Sequence, residues 1–190
     1  MFTVRDAALA ATMSLACLGG AVLSPSLAEM TVEVGGAPMY PSRNIIENAV
    51  NSKDHTTLVA VVEAADLLET LQGEGPFTVF APVNTAFDKL PKGTVETLLK
   101  PENKAALTTV LTYHVIPGKI SAADFVAAVK KGGGEATYKT VEGEELTVRH
   151  DGRRLEIIDA KGDKSFVTIA DVTQKNGVIH VVDTVLLPKS

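Results

Sequence analysis

The chain has 190 residues and a net charge of −5, with 18 Lys plus Arg against 23 Asp plus Glu, which argues against nucleic acid or anionic lipid as a main partner because both call for clustered bases. With no Trp, six Phe and three Tyr, a sugar-binding platform made of stacked rings has few candidate residues. The single cysteine, Cys17, excludes a disulfide within the chain.

The first stretch reads as an export leader. Arg5 supplies a weakly charged start, Ala7 to Leu23 is apolar and small, and Ser26-Leu27-Ala28 suits a signal peptidase. A signal peptide over residues 1–28 is therefore expected, placing the mature chain in the periplasm or outside the cell. A membrane anchor is the alternative, and the run is short of the ~20 residues a span needs. A lipoprotein reading through Cys17 fits less well, since Leu15 in Ser14-Leu15-Ala16 stands one position too close to the cysteine. Cleavage after Ala28 removes Cys17 together with one base, Arg5, and one acid, Asp6, so the mature balance stays at −5 with no thiol and no membrane span.

Residues 29–40 are turn-rich, with Gly35-Gly36 and Pro38, and read as a lead-in to a single domain over 41–188. From Ser42 to Gln72 the pattern is helical: Ile45, Ile46, Ala49 and Val50, then Leu58, Val61, Val62, Ala65 and Leu68, recur at three- and four-residue steps, with Ser42 and Asp54 placed as caps. Phe77, Val79 and Ala81 then alternate with Thr78 and Phe80 in a short buried strand that Pro82 stops. Asn84 is positioned to cap a helix carrying Phe87 and Leu90. Further helices are predicted at Val95 to Leu99, Glu102 to Tyr113 and Ala122 to Lys130, the last opened by a capping box of Ser121 with Asp124.

Lys131-Gly132-Gly133-Gly134 ends the helical pattern. Strands are predicted at Tyr138 to Val141, Glu145 to Arg149, Arg154 to Asp159, Phe166 to Ala170 and Val178 to Leu187, separated by X-Gly turns that end with Asn176-Gly177. Helices first and strands last predict an α+β domain with antiparallel pairing, the early strand at Phe77 inserting beside the terminal one. No internal repeat is visible.

Tyr113-His114 is the most tempting pair for chemistry, as a general base or metal ligand. Against that stands a buried, hydrogen-bonded histidine closing a helix, because neither an orienting partner nor further ligands can be assembled around it. His55, His150 and His180 are not spaced as paired ligands. His180 and Asp183 point to opposite faces of a strand, and Glu144-Glu145 diverges in the same way. Gly132 to Gly134 lacks the lysine and following helix of a phosphate loop, and no hydrolase, metalloprotease or dinucleotide signature is present. The expectation is no catalytic residue, no metal, no cofactor and no enzyme.

Three segments in order, Gly75 to Phe87, Leu111 to Gly118 and Asn176 to Pro188, resemble the two homology motifs and the intervening Tyr-His motif of the fasciclin (FAS1) domain family, over a region from about Pro41 to Pro188. The resemblance implies a β-wedge of about seven strands with several helices packed against it. It also implies an adhesion module that contacts a cell-surface or matrix protein or a glycan. It makes Asn84, His114, Asn176 and Gly177 structural fasteners, with His114 hydrogen-bonded near Asn84 or its turn so that the helix is tied to the first motif. In animal matrix members an Asp-Ile pair five residues before the Asn-Gly contacts integrin, and Asp171-Val172 stands at that spacing. Val replaces Ile, Ile169-Ala170 differ from the polar residues usual there, and a leader of bacterial style disfavours an integrin. Asp171 otherwise ends a strand in an exposed turn. A small-ligand carrier or weak hydrolase with a pocket near Tyr113, His114 and Asn84 is the alternative function.

Overall fold

The structure, a computed structural model, describes residues 30–189, so the expectations for the leader and Cys17 lie outside the described residues. A two-stranded hairpin comes first, β1 (Val32–Val34) and β2 (Ala37–Met39), followed by α1 (Ile45–Ala49), α2 (Thr56–Ala64), α3 (Leu68–Gln72), β3 (Phe77–Pro82), α4 (Asn84–Asp88), α5 (Thr94–Leu98) and α6 (Lys104–Tyr113). The rest is β4 (Val115–Pro117), α7 (Ala122–Lys131), β5 (Glu135–Lys139), β6 (Glu145–His150), β7 (Leu155–Ile158), β8 (Lys164–Gln174) and β9 (Gly177–Val182). Seven strands form one mixed sheet in the order β4-β3-β9-β8-β7-β6-β5. Its ends nearly meet, because Val141, just past β5, donates its N–H to the Val115 carbonyl of β4 at 2.8 Å.

β9 is the centre of the design. All six of its residues are buried, which suits the apolar run Val178 to Val182, interrupted only by His180. β3 lies beside it in parallel, Phe77 opposite Gly177 through Pro82 opposite Val182, and β8 lies on the other side in antiparallel. The β3–β9 pair is thus the one parallel ladder in a sheet otherwise antiparallel, as the long connection between the strands permits.

Each face of the sheet carries its own core. One packs the β1–β2 hairpin, α1, α2, α3 and α6 against Val79, Ala81, Val172, Ile179 and Val181. The other gathers Phe80, Tyr113, Phe125, Val148, Ile157, Val182 and Leu186 under α7. α7 shows the local logic most clearly: Ser121 Oγ accepts from Asp124 N at 3.2 Å, Asp124 accepts from Ser121 N at 3.0 Å, and Phe125 and Val129 face inward one turn apart. The helix stops at Gly132, where a Cβ would collide with the Glu135 carbonyl.

Several expectations need correction. The lead-in is a hairpin around Gly35 and Gly36, both at positive φ, and it buries Val34, Ala37 and Met39 in the core, so the folded unit begins before Pro41. Three-residue strands give too short a pattern to read from sequence. Asn44, not Ser42, caps α1, in a full capping box with Glu47, and Asp54 lies inside a 3-10 turn (Lys53–His55) rather than capping α2. β4, of three residues, falls where the sequence predicts no strand. The last strand ends at Val182, short of Leu187.

Candidate functional site

Tyr113 and His114 end α6 and are both buried, and their polar atoms are fully engaged. Tyr113 Oη donates to the Glu145 carbonyl at 3.0 Å and accepts from Ala160 N at 2.9 Å. Burial pushes the phenol up to about 12, with the Ala160 N–H opposing and the carboxylates of Asp159, Glu144 and Glu142 adding to the rise. His114 Nε2 accepts from Leu186 N at 2.9 Å, so Nδ1 carries the proton and donates to the Val110 carbonyl at 2.7 Å. Burial pushes the imidazole down to about 4, the Val110 carbonyl partly offsetting it. Both side chains spend their polar atoms on the fold itself.

His114 does not bond to Asn84. Its ring holds the C-terminal segment at Leu186, and only its backbone carbonyl meets the first motif, accepting from Phe80 N at 2.9 Å. Asn84 is engaged elsewhere, and its own helix has Val83 as N-cap with no side-chain bond. Asn84 Oδ1 accepts from Thr57 N at 3.0 Å and Thr56 Oγ1 at 3.2 Å, and Nδ2 donates to the Lys53 carbonyl at 2.8 Å. It supplies the missing N-terminal cap of α2 from across the fold.

Asn176 joins two further elements. Its Oδ1 accepts from Ile45 N at 3.1 Å at the start of α1, and its Nδ2 donates to the Leu71 and Gly73 carbonyls, at 2.7 and 3.0 Å, at the end of α3. The expected Asn-Gly turn is displaced by one residue: Lys175 and Asn176 make the turn, neither with positive φ, and Gly177 opens β9 opposite Gln174. Gly177 is needed for space, since a Cβ there would collide with the Phe77 carbonyl.

Asp171 and Val172 part company. Asp171 is exposed and sits inside β8, in an irregular stretch of the β8–β9 ladder, at φ +57°. It does not end the strand as expected, and the hydrogen bond that its side chain accepts comes from across the fold, Asp171 Oδ1 accepting from Ala122 N at 2.8 Å in the first turn of α7. Its own N–H reaches His180 Nδ1 at 3.3 Å, and His180 Nε2 donates to the Ile120 carbonyl at 2.9 Å. The buried His180 is held neutral by desolvation, against the pull of the Ile120 carbonyl and Asp171. Val172 is 1% exposed and faces the core, so it presents nothing to a partner. Strand alternation through an irregular ladder could not show this from sequence.

One feature escaped the sequence altogether. A cavity of about 40 Å³ lies between the hairpin, α1, α2, α3 and the β3 and β9 strands. Its walls are carbon apart from His55 and His114, and Val172 forms part of them. In sequence His55 shows only that it is not spaced as one of a pair of ligands. Among the described residues no group of three or more His, Cys, Asp or Glu is placed to hold a metal, and no helix is long and apolar enough to cross a membrane.

A seven-stranded mixed sheet with helices on both faces, tied by an Asn-Gly segment and a Tyr-His helix end, is the architecture of a fasciclin-type domain. The fasciclin domain model matches residues 53–188, and the chain belongs to that family. It is 48% identical over 161 residues to protein sll1483 of Synechocystis, a match covering 84% of this chain and 82% of that one. It is 32% identical to immunogenic protein MPT70 of Mycobacterium tuberculosis over 96% of this chain and 90% of the relative. Human periostin matches at 31% over 76% of this chain, which is 16% of that longer protein. Among solved structures, a FAS1 domain pair from the insect cell adhesion molecule fasciclin I superposes with a TM-score of 0.69 at 18% identity, over 84% of this chain and 58% of that one.

Proposed function

We propose that the chain is an exported FAS1 domain, with residues 1–28 as its signal peptide, that works by surface contact as an adhesion or protein-interaction module in the periplasm or outside the cell. The observation that carries this reading is the internal use of every reactive-looking group in the family motifs. Tyr113, His114 and His180 are buried and hydrogen-bonded within the fold, and that leaves the outer surface for function. Kinship to proteins named for adhesion supports the same class. Asp171 is the motif-adjacent carboxylate that reaches that surface, and it is the recognition residue we nominate.

The test begins with protein recovered from the exporting cell, whose intact mass should correspond to a start at Glu29. Immobilised, this protein should retain a specific component of a native envelope extract. Asp171→Asn keeps an oxygen for Ala122 N and tolerates the left-handed backbone, so it removes the charge while sparing the fold. It should weaken capture of the retained component at least about fivefold, since a charged contact at an interface is worth more than about 1 kcal/mol. Unchanged capture removes Asp171 from the contact surface, and an extract from which nothing specific is retained defeats the reading itself.

A further inference from the structure

Between α7 and the hairpin of β6 and β7 lies a trough of about 500 Å³, within the size range of small-molecule sites. Strand pairing explains it. The β7–β8 ladder stops at Glu156 opposite Phe166, although β8 runs on to Gln174, so the stretch of β8 beyond Phe166 keeps only β9 as a ladder partner. α7 begins beside that opening and offers it modest side chains, Ala122 and Val126, one turn apart on one face. With Leu155, Val167 and Ala170 they give the trough an apolar lining.

The hairpin wall is charged. Asp151 Oδ1 accepts from Arg154 N at 2.7 Å and from Arg153 N at 2.8 Å, which fixes the turn from which both guanidiniums leave. The Arg154 guanidinium lies over the Phe166 ring, 4.3 Å from its centroid, a contact that holds the cation without neutralising it. Arg149 of the same hairpin is paired with Glu135 at 2.6 Å, whereas neither Arg153 nor Arg154 makes an ion pair among the described residues. In a chain of net charge −5, two unpaired cations beside an apolar trough select an anion. The α7 side sets a limit. Asp171, next to Ala170 and bonded to Ala122 N at 2.8 Å, places a carboxylate at that border, so a second anionic group there is repelled. The complement is one carboxylate on an apolar body.

We propose that this trough binds a medium-chain monocarboxylate, its head group held by the Arg153 and Arg154 guanidiniums and its alkyl tail laid over Ala122, Val126 and Val167. Arginine forks match a carboxylate in geometry as well as in charge. The site lies beside the protein contact assigned to Asp171, goes beyond it and does not depend on it.

The probe is sodium octanoate, titrated below its micellar concentration into isotopically labelled protein from the exporting cell and followed by NMR of methyls and arginine side chains. Saturable shifts should cluster at Val126, Leu155 and Val167 and at the two guanidiniums. Acetate, which has no tail, and octylammonium, which has the opposite charge, should each bind at least about tenfold more weakly. Suberate, with a second carboxylate at its far end, should also bind more weakly than octanoate. Arg153→Gln combined with Arg154→Gln should weaken octanoate about tenfold. Thr168→Trp, which brings a large ring into the trough from an exposed strand position, should abolish binding. If either variant does not fold, the ranking of the four probes on the unaltered protein decides the same point. No saturable shift, shifts away from the trough, any of the other three probes equal to octanoate, or undiminished binding in the double variant overturns the proposal. So does a peptide of alternating Glu and Leu that binds these residues more tightly than octanoate, since the occupant is then a protein segment. Shifts at the trough on concentrating the protein alone overturn it as well, in favour of a second copy of the chain.

Discussion

The two faces of the sheet are built in opposite ways. The face under α7 is packed with rings: Phe125 meets Phe80 at 5.9 Å, Tyr138 at 5.0 Å and His180 at 5.4 Å, beneath a helix that carries its own capping box. The face under α1, α2 and α3 is aliphatic, retains a cavity, and is roofed by helices of five, nine and five residues. Helices that short do not hold themselves in water. Of these three only α1 is capped by its own neighbouring residue, while α2 borrows Asn84 and the end of α3 borrows Asn176. One face is stabilised by what lies next to each residue along the chain, the other by what arrives from thirty or a hundred residues away.

The sharpest break in this contrast is Phe125→Ala. It deletes the hub of the aromatic face and should lower stability by about 3 to 5 kcal/mol, a large share of a typical domain's total. Denaturant unfolding measures it, and a loss below about 1.5 kcal/mol would mean the ring packing does not carry that face.

Acid should attack both faces at once. His114 is depressed from an ordinary 6.5 to about 4 by burial, and His55 and His180 are depressed in the same direction. The neutral rings therefore contribute stability that is fully present above about pH 6.5 and is lost as pH falls, because the unfolded chain takes up protons that the native one refuses. For His114 alone the loss approaches about 3 kcal/mol at pH 4 and below. Unfolding free energies at pH 7, 5.5 and 4 should fall steadily, and His114→Gln should show a shallower fall. A flat profile between pH 7 and 4 contradicts the buried, neutral assignment.

The borrowed caps give the two smaller effects. Asn176→Ala leaves Ile45 N and the Leu71 and Gly73 carbonyls without their partner and should cost about 2 to 3 kcal/mol. Hydrogen exchange should quicken in α1 and α3 and stay unchanged in α7. Asn84→Ala removes the cap of α2 and should cost about 1 kcal/mol, with exchange quickening in α2 rather than in α4. Faster exchange in α4 instead would restore the local cap that the sequence suggests.

Much of the molecule was readable from its residues. The Ser121 to Asp124 box, the Phe125 and Val129 stripe, the glycine stop and the strands between X-Gly turns are signals within a few positions of each other, so local physics settles them. The family resemblance rested on such stretches, and the fold it implied is the fold observed. What stayed hidden depended on distant partners. Asn84 is a plausible local cap in sequence, and only the approach of residues 53–57 gives its oxygen a better donor. Val172 sits next to Asp171, yet the irregular β8 ladder sends one to the core and the other to water. The unpaired nitrogen of His55 exists only because the hairpin, four helices and four strands close around the cavity it lines without filling the space. Periodicity and capping are determined by neighbours along the chain. Which buried atom finds a partner, and where a void is left, is decided when the elements pack.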